Sequence, residues 1–347
     1  MKSILRHLAV FAAMLSFAAS APARAQGAND LALVCSFGDD WCRLMAAEFE
    51  RETGIRVAMI RRSTGEVFAQ LKAEAQRPRV DVWWGGTGDP HIQAAAEGLT
   101  EPYRSPRLAE LRPWAVAQAE KSGHRSVGVI AGALALAYNE TALANQRVEP
   151  PKCWADLVEP RYRNLVQAND PSASGTGYAF LATMVALMGE EGAFAYLRRL
   201  HPNVNAYARS GTIPARAVAT GESPIGITFY DNALVQIAAG ARGVRAIVPC
   251  EGTSYEVGSM SIVRGARNMA AARRFYDWAL SAPAQALGVR AGLSFSVPSN
   301  KATPLPDGLP DLGTMKLVDY DFRFFGDPET RTRLLRRFDV DVRGRAQ

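Results

Sequence analysis

The stretch Leu31–Glu52, LALVCSFGDDWCRLMAAEFERE, constrains the fold more than any other. Leu31–Cys35 is an apolar run of the length of a buried strand. After Ser36–Asp40, Leu44, Ala47 and Phe49 fall on or near one helical stripe, with charges opposite. A strand that runs through a short polar loop into a helix opens an α/β unit. Ser36 then stands at the carboxyl end of the strand, the edge where open α/β sheets place ligands. Cys35 and Cys42 bracket that loop.

Residues 1–25 read as an export signal: Lys2 and Arg6 precede the apolar run Leu8–Ala19, and Ala23-Arg24-Ala25 has the small-x-small form of a cleavage site. The run is too short to serve comfortably as a membrane anchor. Cleavage there starts the mature chain at Gln26, not at a cysteine, so no lipid anchor is expected. Every later apolar stretch is broken by charge, Gly or Pro. The expected product is a soluble exported protein, in a bacterium a periplasmic one. Loss of the signal's three basic residues lowers the formal charge from +6 to +3. That weak bias toward anionic partners gives no support to nucleic-acid binding. About 320 remaining residues suffice for two lobes with separate cores. The four cysteines should oxidise in pairs in such a compartment. Cys35–Cys42 is the easiest pair to close, which leaves Cys153–Cys250; the spacing lacks the CxxC knuckle of a metal site.

The strand–polar loop–helix pattern recurs along the chain. Gly54–Arg61 is strand-like and leads through Arg62–Glu66 into the helical VFAQLKAEAQ. Ser63 or Thr64 suits an N-cap with Glu66 in the first turn, and hydroxyls at a helix start make an anion seat. Arg79–Trp84 reads as the next strand. It ends in the turn Gly85–His91, where Trp83 and Trp84 are expected to wall a cleft beside glycines that admit a ligand to the backbone. A helix is expected over Ile92–Gly98. The turn lacks GxGxxG and GK[ST] spacing, which excludes a dinucleotide site or a P-loop. The segment around Pro106 and Pro113 reads as irregular.

Arg125–Asn139 is expected to cross from one lobe to the other. The densest polar loop, Asn169–Gly177, precedes the helical YAFLATMVALMG and places Ser174, Gly175 and Thr176 at a helix start. Arg209–Pro214 is a further polar rim. Ile225–Phe229 delivers Tyr230, Asp231 and Asn232 ahead of the helix ALVQIAAG, and Gly258–Val263 returns to the first lobe. Arg331, Arg333, Arg336 and Arg337 on the terminal helix read as a solvated face.

Chemistry is sparse. The chain has no GxSxG elbow and no HExxH, and the histidines beyond the signal, His91, His124 and His201, are scattered. A hydroxyl- and amide-rich cleft without a nucleophile triad favours reversible capture over catalysis, so neither an enzyme nor a cofactor is expected. The fold class is α/β. The first lobe comprises residues 26–133 and 257–347 and the second 134–256, joined by crossing strands that act as a hinge.

On VCSFGDDWC, FERETGIRV, DVWWGGTGDPHIQAAAEGL, NDPSASGTGYAFLA, GITFYDN and the GSMSIV–FYDWALS segment, the chain resembles a known family. It is similar to the periplasmic solute-binding proteins of bacterial ABC importers, in the branch that takes ferric ion, polyamines and phosphorylated sugars. The resemblance covers nearly all of the mature chain. It implies the type II periplasmic-binding-protein fold and a monomer whose lobes close on one solute for delivery to an inner-membrane permease. It also implies a ligand set of Ser36, Ser63, Thr64, Thr87, Gly88, Ser174, Gly175, Thr176, Tyr230 and Asp231. Ferric binders of this family commonly use adjacent tyrosines at the Tyr230 position. Here Phe229 precedes Tyr230, and the opening loop has no histidine. Only Tyr230 and Asp231 then remain as iron ligands, few for a hard cation. Hydroxyl-rich helix starts suit a phosphate or phosphonate on a small organic body better. The expected solute is a small anion, with ferric ion as the alternative. A polyamine needs several cleft carboxylates beside an aromatic box, for which Trp83, Trp84 and Asp89 are available. A periplasmic ligand sensor of a signalling system is the other alternative role.

Overall fold

The computed structural model describes residues 30–309 and 311–344, so the expected export signal lies outside the described residues. The chain opens with β1 (Asp30–Cys35), α1 (Asp39–Thr53), β2 (Arg56–Arg61), α2 (Thr64–Ala73), β3 (Val82–Trp84) and α3 (Gly88–Ala96). β1 pairs in parallel with both β2 and β3. All three strands therefore present their carboxyl ends, and the helices that follow them their amino ends, at one edge. Helix α1 stops where Gly54 takes a left-handed conformation, φ 72°. A short strand β4 (Thr100–Glu101) leads to α4 (Pro113–Lys121). The segment around Pro113 is thus helical in part: a proline at the first helical position removes an N–H that has no intrahelical acceptor there.

Strand β5 (Val127–Asn139) carries the chain into the second lobe. Its partner changes between Ala133 and Leu134, with the first half antiparallel to β10 (Tyr255–Val263) and the second half antiparallel to β8 (Ile225–Phe229). The second lobe adds α5 (Glu140–Asn145), β6 (Val166–Asn169), α6 (Gly175–Leu200), β7 (Val204–Ala208), α7 (Ile213–Thr220), α8 (Tyr230–Ala238) and β9 (Val244–Ile247). β6 is parallel to both β7 and β8, which repeats the edge geometry of the first lobe. Helix α6 is long and apolar enough to cross a membrane, yet Gly189 (φ 69°, ψ 167°) breaks it and its apolar residues form much of the second lobe's core. Strand β10 returns the chain beside β3. Helices α9 (Met269–Ala279) and α10 (Ala282–Arg290) and strand β11 (Val297–Pro298) complete the first lobe.

The C-terminal segment, α11 (Phe322–Gly326) and α12 (Pro328–Arg337), departs from expectation. Although assigned above to the first lobe, it packs on the second: Tyr320, Phe325, Leu334, Phe338 and Val342 join the core built from Tyr178, Phe194 and Trp154. The arginine cluster is a solvated face only in part: Arg333 and Arg336 are exposed, whereas Arg331 is not. Arg331 is 4% exposed, because at i, i+3 and i+7 it shares the buried stripe of α12 with Leu334 and Phe338. Its guanidinium lies 3.9 Å from the centre of the Tyr178 ring, an arrangement favourable for a desolvated cation. Arg333 and Arg337 pair with Glu190, and Arg337 also with Glu191.

The lobes touch across their shared edge. The Gly65 N–H donates to the Ala173 carbonyl (3.1 Å), Arg61 Nη2 to Ser210 Oγ (2.5 Å), and Arg209 pairs with Glu66 (2.9 Å). Disulfides join Cys35 to Cys42 and Cys153 to Cys250. The sequence separations of the two bridges are 7 and 97 residues. A cross-link restricts the unfolded chain more as the loop it closes lengthens, at about 2–3 kcal/mol for the short loop and about 4–5 kcal/mol for the long one. In urea unfolding, Cys153→Ser/Cys250→Ser should therefore lose more stability than Cys35→Ser/Cys42→Ser; equal losses would contradict this ranking.

Candidate functional site

A cleft of about 520 Å³ lies between the lobes. Six helices begin at it. The residues that cap them, Gly38, Ser63, Thr87, Ser174, Thr212 and Phe229, all line the cavity. First-turn N–H groups lack intrahelical acceptors, and aligned peptide dipoles concentrate partial positive charge there. Both lobes thus turn helix amino termini toward the cavity, although the Gly65 and Gly88 N–H groups are taken by Ala173 and Glu256.

On the first lobe, Ser36 leaves β1 with its N–H on the Trp84 carbonyl (2.9 Å) and its hydroxyl accepting the Trp83 indole N–H (3.0 Å). Trp83 and Trp84 do not wall the cleft. Both are fully buried, because β3 runs between β1 and β10 with both faces covered. Trp83 stacks on His91 at 3.6 Å, and Trp84 packs edge-on against Phe37 and Trp41. The aromatic wall is instead Phe37 and Trp41, stacked at 4.4 Å inside the loop that Cys35–Cys42 closes. His91 contacts Ser261 and the Gly85 carbonyl, and burial pushes its pKa down to about 3, so it is neutral. Ser63 and Thr64 line the cleft at the start of α2, where Glu66 accepts the Ser63 N–H.

Helix α3 starts at Gly88, not at Ile92 as the turn-like sequence suggested. Pro90 lies in its first turn, where it interrupts no helical hydrogen bond. Thr87 is consequently the cap; its buried hydroxyl has no partner among the described residues. Gly88 itself does not line the cleft: its N–H donates to Glu256 Oε1 at 2.7 Å.

On the second lobe, Ser174, Gly175 and Thr176 line the cleft, and the Ser174 hydroxyl accepts the Gly177 N–H. A Cβ on Gly175 would lie 2.0 Å from Thr87 Oγ1, so glycine permits the lobes to meet here. Tyr230 does not line the cavity, and burial raises its pKa. As first residue of α8 it is followed by Asp231, which does line it. The Asp231 carboxylate accepts the Ser296 hydroxyl (2.7 Å), and burial holds its pKa above the usual range.

Arg61, Ser210, Asn232 and Glu256 also line the cleft, although none belongs to the expected ligand set. Ser210 lies within the polar rim Arg209–Pro214 and Asn232 beside Asp231. For Arg61 the available signal is a pair of adjacent cations, Arg61 and Arg62, at the carboxyl end of a strand. Its guanidinium contacts the Phe37 carbonyl and Ser210 Oγ, both neutral, and burial lowers its pKa. Among the described residues, neither Arg61 nor the neighbouring cleft cation Arg216 forms an ion pair with a carboxylate. The cleft therefore offers helix N–H groups, hydroxyls and the cations Arg61 and Arg216 to an anion, while Asp39, Asp40, Asp231 and Glu256 also line its wall as acceptors.

The sequence profile of the bacterial extracellular solute-binding proteins matches residues 88–323. An uncharacterised protein of Haemophilus influenzae is 37% identical over 337 residues, 97% of each chain. The periplasmic binding protein AfuA from Actinobacillus pleuropneumoniae, solved with exogenous fructose 6-phosphate bound, aligns with a TM-score of 0.87 at 38% identity, over 90% of this chain and 98% of that one. The periplasmic binding protein P5PA aligns with a TM-score of 0.87 at 32% identity, over 90% and 99%. Two α/β lobes joined by crossing strands match the type II periplasmic-binding-protein fold of these structures. The chain belongs to the family of bacterial extracellular solute-binding proteins, as a periplasmic, non-enzymatic component that delivers solute to the inner-membrane permease of an ABC-type importer.

Proposed function

We propose that the protein captures a small organic anion bearing a phosphate or phosphonate group, with a phosphorylated sugar as the leading class. Capture proceeds by closure of the two lobes. The observation that carries this reading is the convergence of six helix amino termini with Arg61, whose hydrogen-bond partners are neutral. A dianionic phosphate accepts many donors at once, and N–H groups and guanidinium supply them with charge assistance. The volume of about 520 Å³ falls in the range of small-molecule sites. Asp39, Asp40 and Asp231 on the wall are suited to accept hydroxyl groups of the solute's body. Fructose 6-phosphate in the similar AfuA structure supports the same class.

The ferric alternative is less well supported. Tyr230 lies off the cleft and its hydroxyl is held protonated by burial, whereas a hard ferric ion calls for several anionic oxygens. Ferric citrate should accordingly produce no phenolate-to-iron absorption band; a band lost in Tyr230→Phe would reverse this reading.

The main test is calorimetry with fructose 6-phosphate, fructose and inorganic phosphate. The phosphorylated sugar should bind and fructose alone should not. Arg61→Met should weaken binding by about 10–100-fold, the size of a lost charge-assisted contact. Ser174→Ala and Thr176→Ala should each cost about 1 kcal/mol. Equal binding of fructose, or an Arg61→Met variant of unchanged affinity, would refute the anion reading.

Closure has its own test. A Cβ on Gly65 would lie 2.3 Å from the Ser172 carbonyl oxygen across the lobe contact. Gly65→Ala should hold the lobes apart and lower affinity while leaving the thermal transition near that of the natural chain. Unchanged affinity in that variant would show that this contact is not required for capture.

A further inference from the structure

Glu256 at the cleft wall, with Asp89 and Arg331 behind it, forms a group of buried ionisable side chains. Glu256, on β10 opposite Gly132 of β5, is 4% exposed. Its Oε1 accepts the Gly88 N–H, and its Oε2 has no partner among the described residues. Asp89, the next residue of α3, is 1% exposed. Its Oδ2 accepts the Tyr320 hydroxyl at 2.7 Å, and its Oδ1 is also without a partner there. Arg331 has an unpartnered Nη1 while its guanidinium covers the Tyr178 ring. These groups come from different bodies: α3 of the first lobe, a crossing strand, α6 of the second lobe and the C-terminal segment packed on it.

Two buried acids beside a single buried base leave one negative charge uncompensated when both ionise, and an uncompensated charge is costly for side chains as buried as these. We propose that Asp89 and Glu256 hold one proton between them at the seam of the lobes, and that losing it loosens the lobes from each other. Burial raises Asp89 to about 6 against the Tyr320 hydrogen bond and the charge of Arg331. Burial and then the charge of Asp89 raise Glu256 well above its ordinary value. The other facing groups do not titrate in this range. Burial raises the pKa of Tyr178, Tyr255 and Tyr320. Arg331 stays a cation because guanidinium does not deprotonate in proteins, and Arg333, near Tyr178, is paired with Glu190. His91 turns toward Ser261 and Gly85 and is neutral.

The sign follows. An acid whose pKa is raised in the packed state favours that state most at pH below the ordinary carboxylate range. The advantage is lost as pH climbs from about 4 through about 6 for Asp89 and higher for Glu256, and then stays level. The inference is independent of which solute fills the cleft, so ligand-free protein tests it. Infrared spectroscopy at about pH 6 should show a protonated buried carboxyl C=O stretch that Glu256→Gln or Asp89→Asn diminishes. Small-angle scattering should give a larger radius of gyration at about pH 8 than at about pH 5, a difference that Glu256→Gln abolishes. A carboxyl stretch untouched by both substitutions, or an equal scattering response in natural chain and variant, overturns the proposal. If Glu256→Gln fails to fold, Asp89→Asn makes the same comparison.

Discussion

A helix that follows a parallel strand must begin near the strand's carboxyl end, since the connecting loop is too short to carry it elsewhere. Each lobe here sets parallel strands side by side, so every such helix opens on the same edge. When the two edges face each other, their first-turn N–H groups share one space, and the electrostatics of the cleft follow with little contribution from any single residue. Side chains refine this field. Arg61 adds a cation whose hydrogen-bond partners are neutral, and Ser63, Thr87 and Ser174 add hydroxyls at the helix starts.

Much of the fold was legible because its signals are local. The apolar run of β1, the stripe of α1 and the nearness of Cys35 to Cys42 lie within a few residues of one another. The long glycine-interrupted run of β5 marked the crossing, although the site of partner exchange became visible only in the pairing. The C-terminal segment was misplaced because its partner surface lies far away in sequence. The apolar stripe of α12 also includes Arg331, which reads as surface until Tyr178 is seen beneath it. The start of α3 was missed because glycines and Pro90 resemble a turn, although proline is compatible with a first helical turn.

Within the site, hydroxyls at helix starts were readable, since capping chemistry and ligand chemistry use the same residues at the same places. Gly88 and Tyr230 show the limit of that logic. Each stands at a helix start, yet Gly88 spends its N–H on Glu256 and Tyr230 lies off the cavity. Arg61 and Glu256 could not be inferred, because what makes them lining residues is the approach of one lobe to the other. The tryptophan pair misled for a related reason: Trp83 acts one layer back, orienting the Ser36 hydroxyl.

The measurement that bears most directly on the nature of the cargo is native mass spectrometry of protein isolated from the periplasm, with elemental analysis for iron and phosphorus on the same sample. A stoichiometric small adduct that contains phosphorus and no iron is the predicted result, and its mass would identify the solute. One equivalent of iron without phosphorus would contradict the assignment of the cleft to an organic anion.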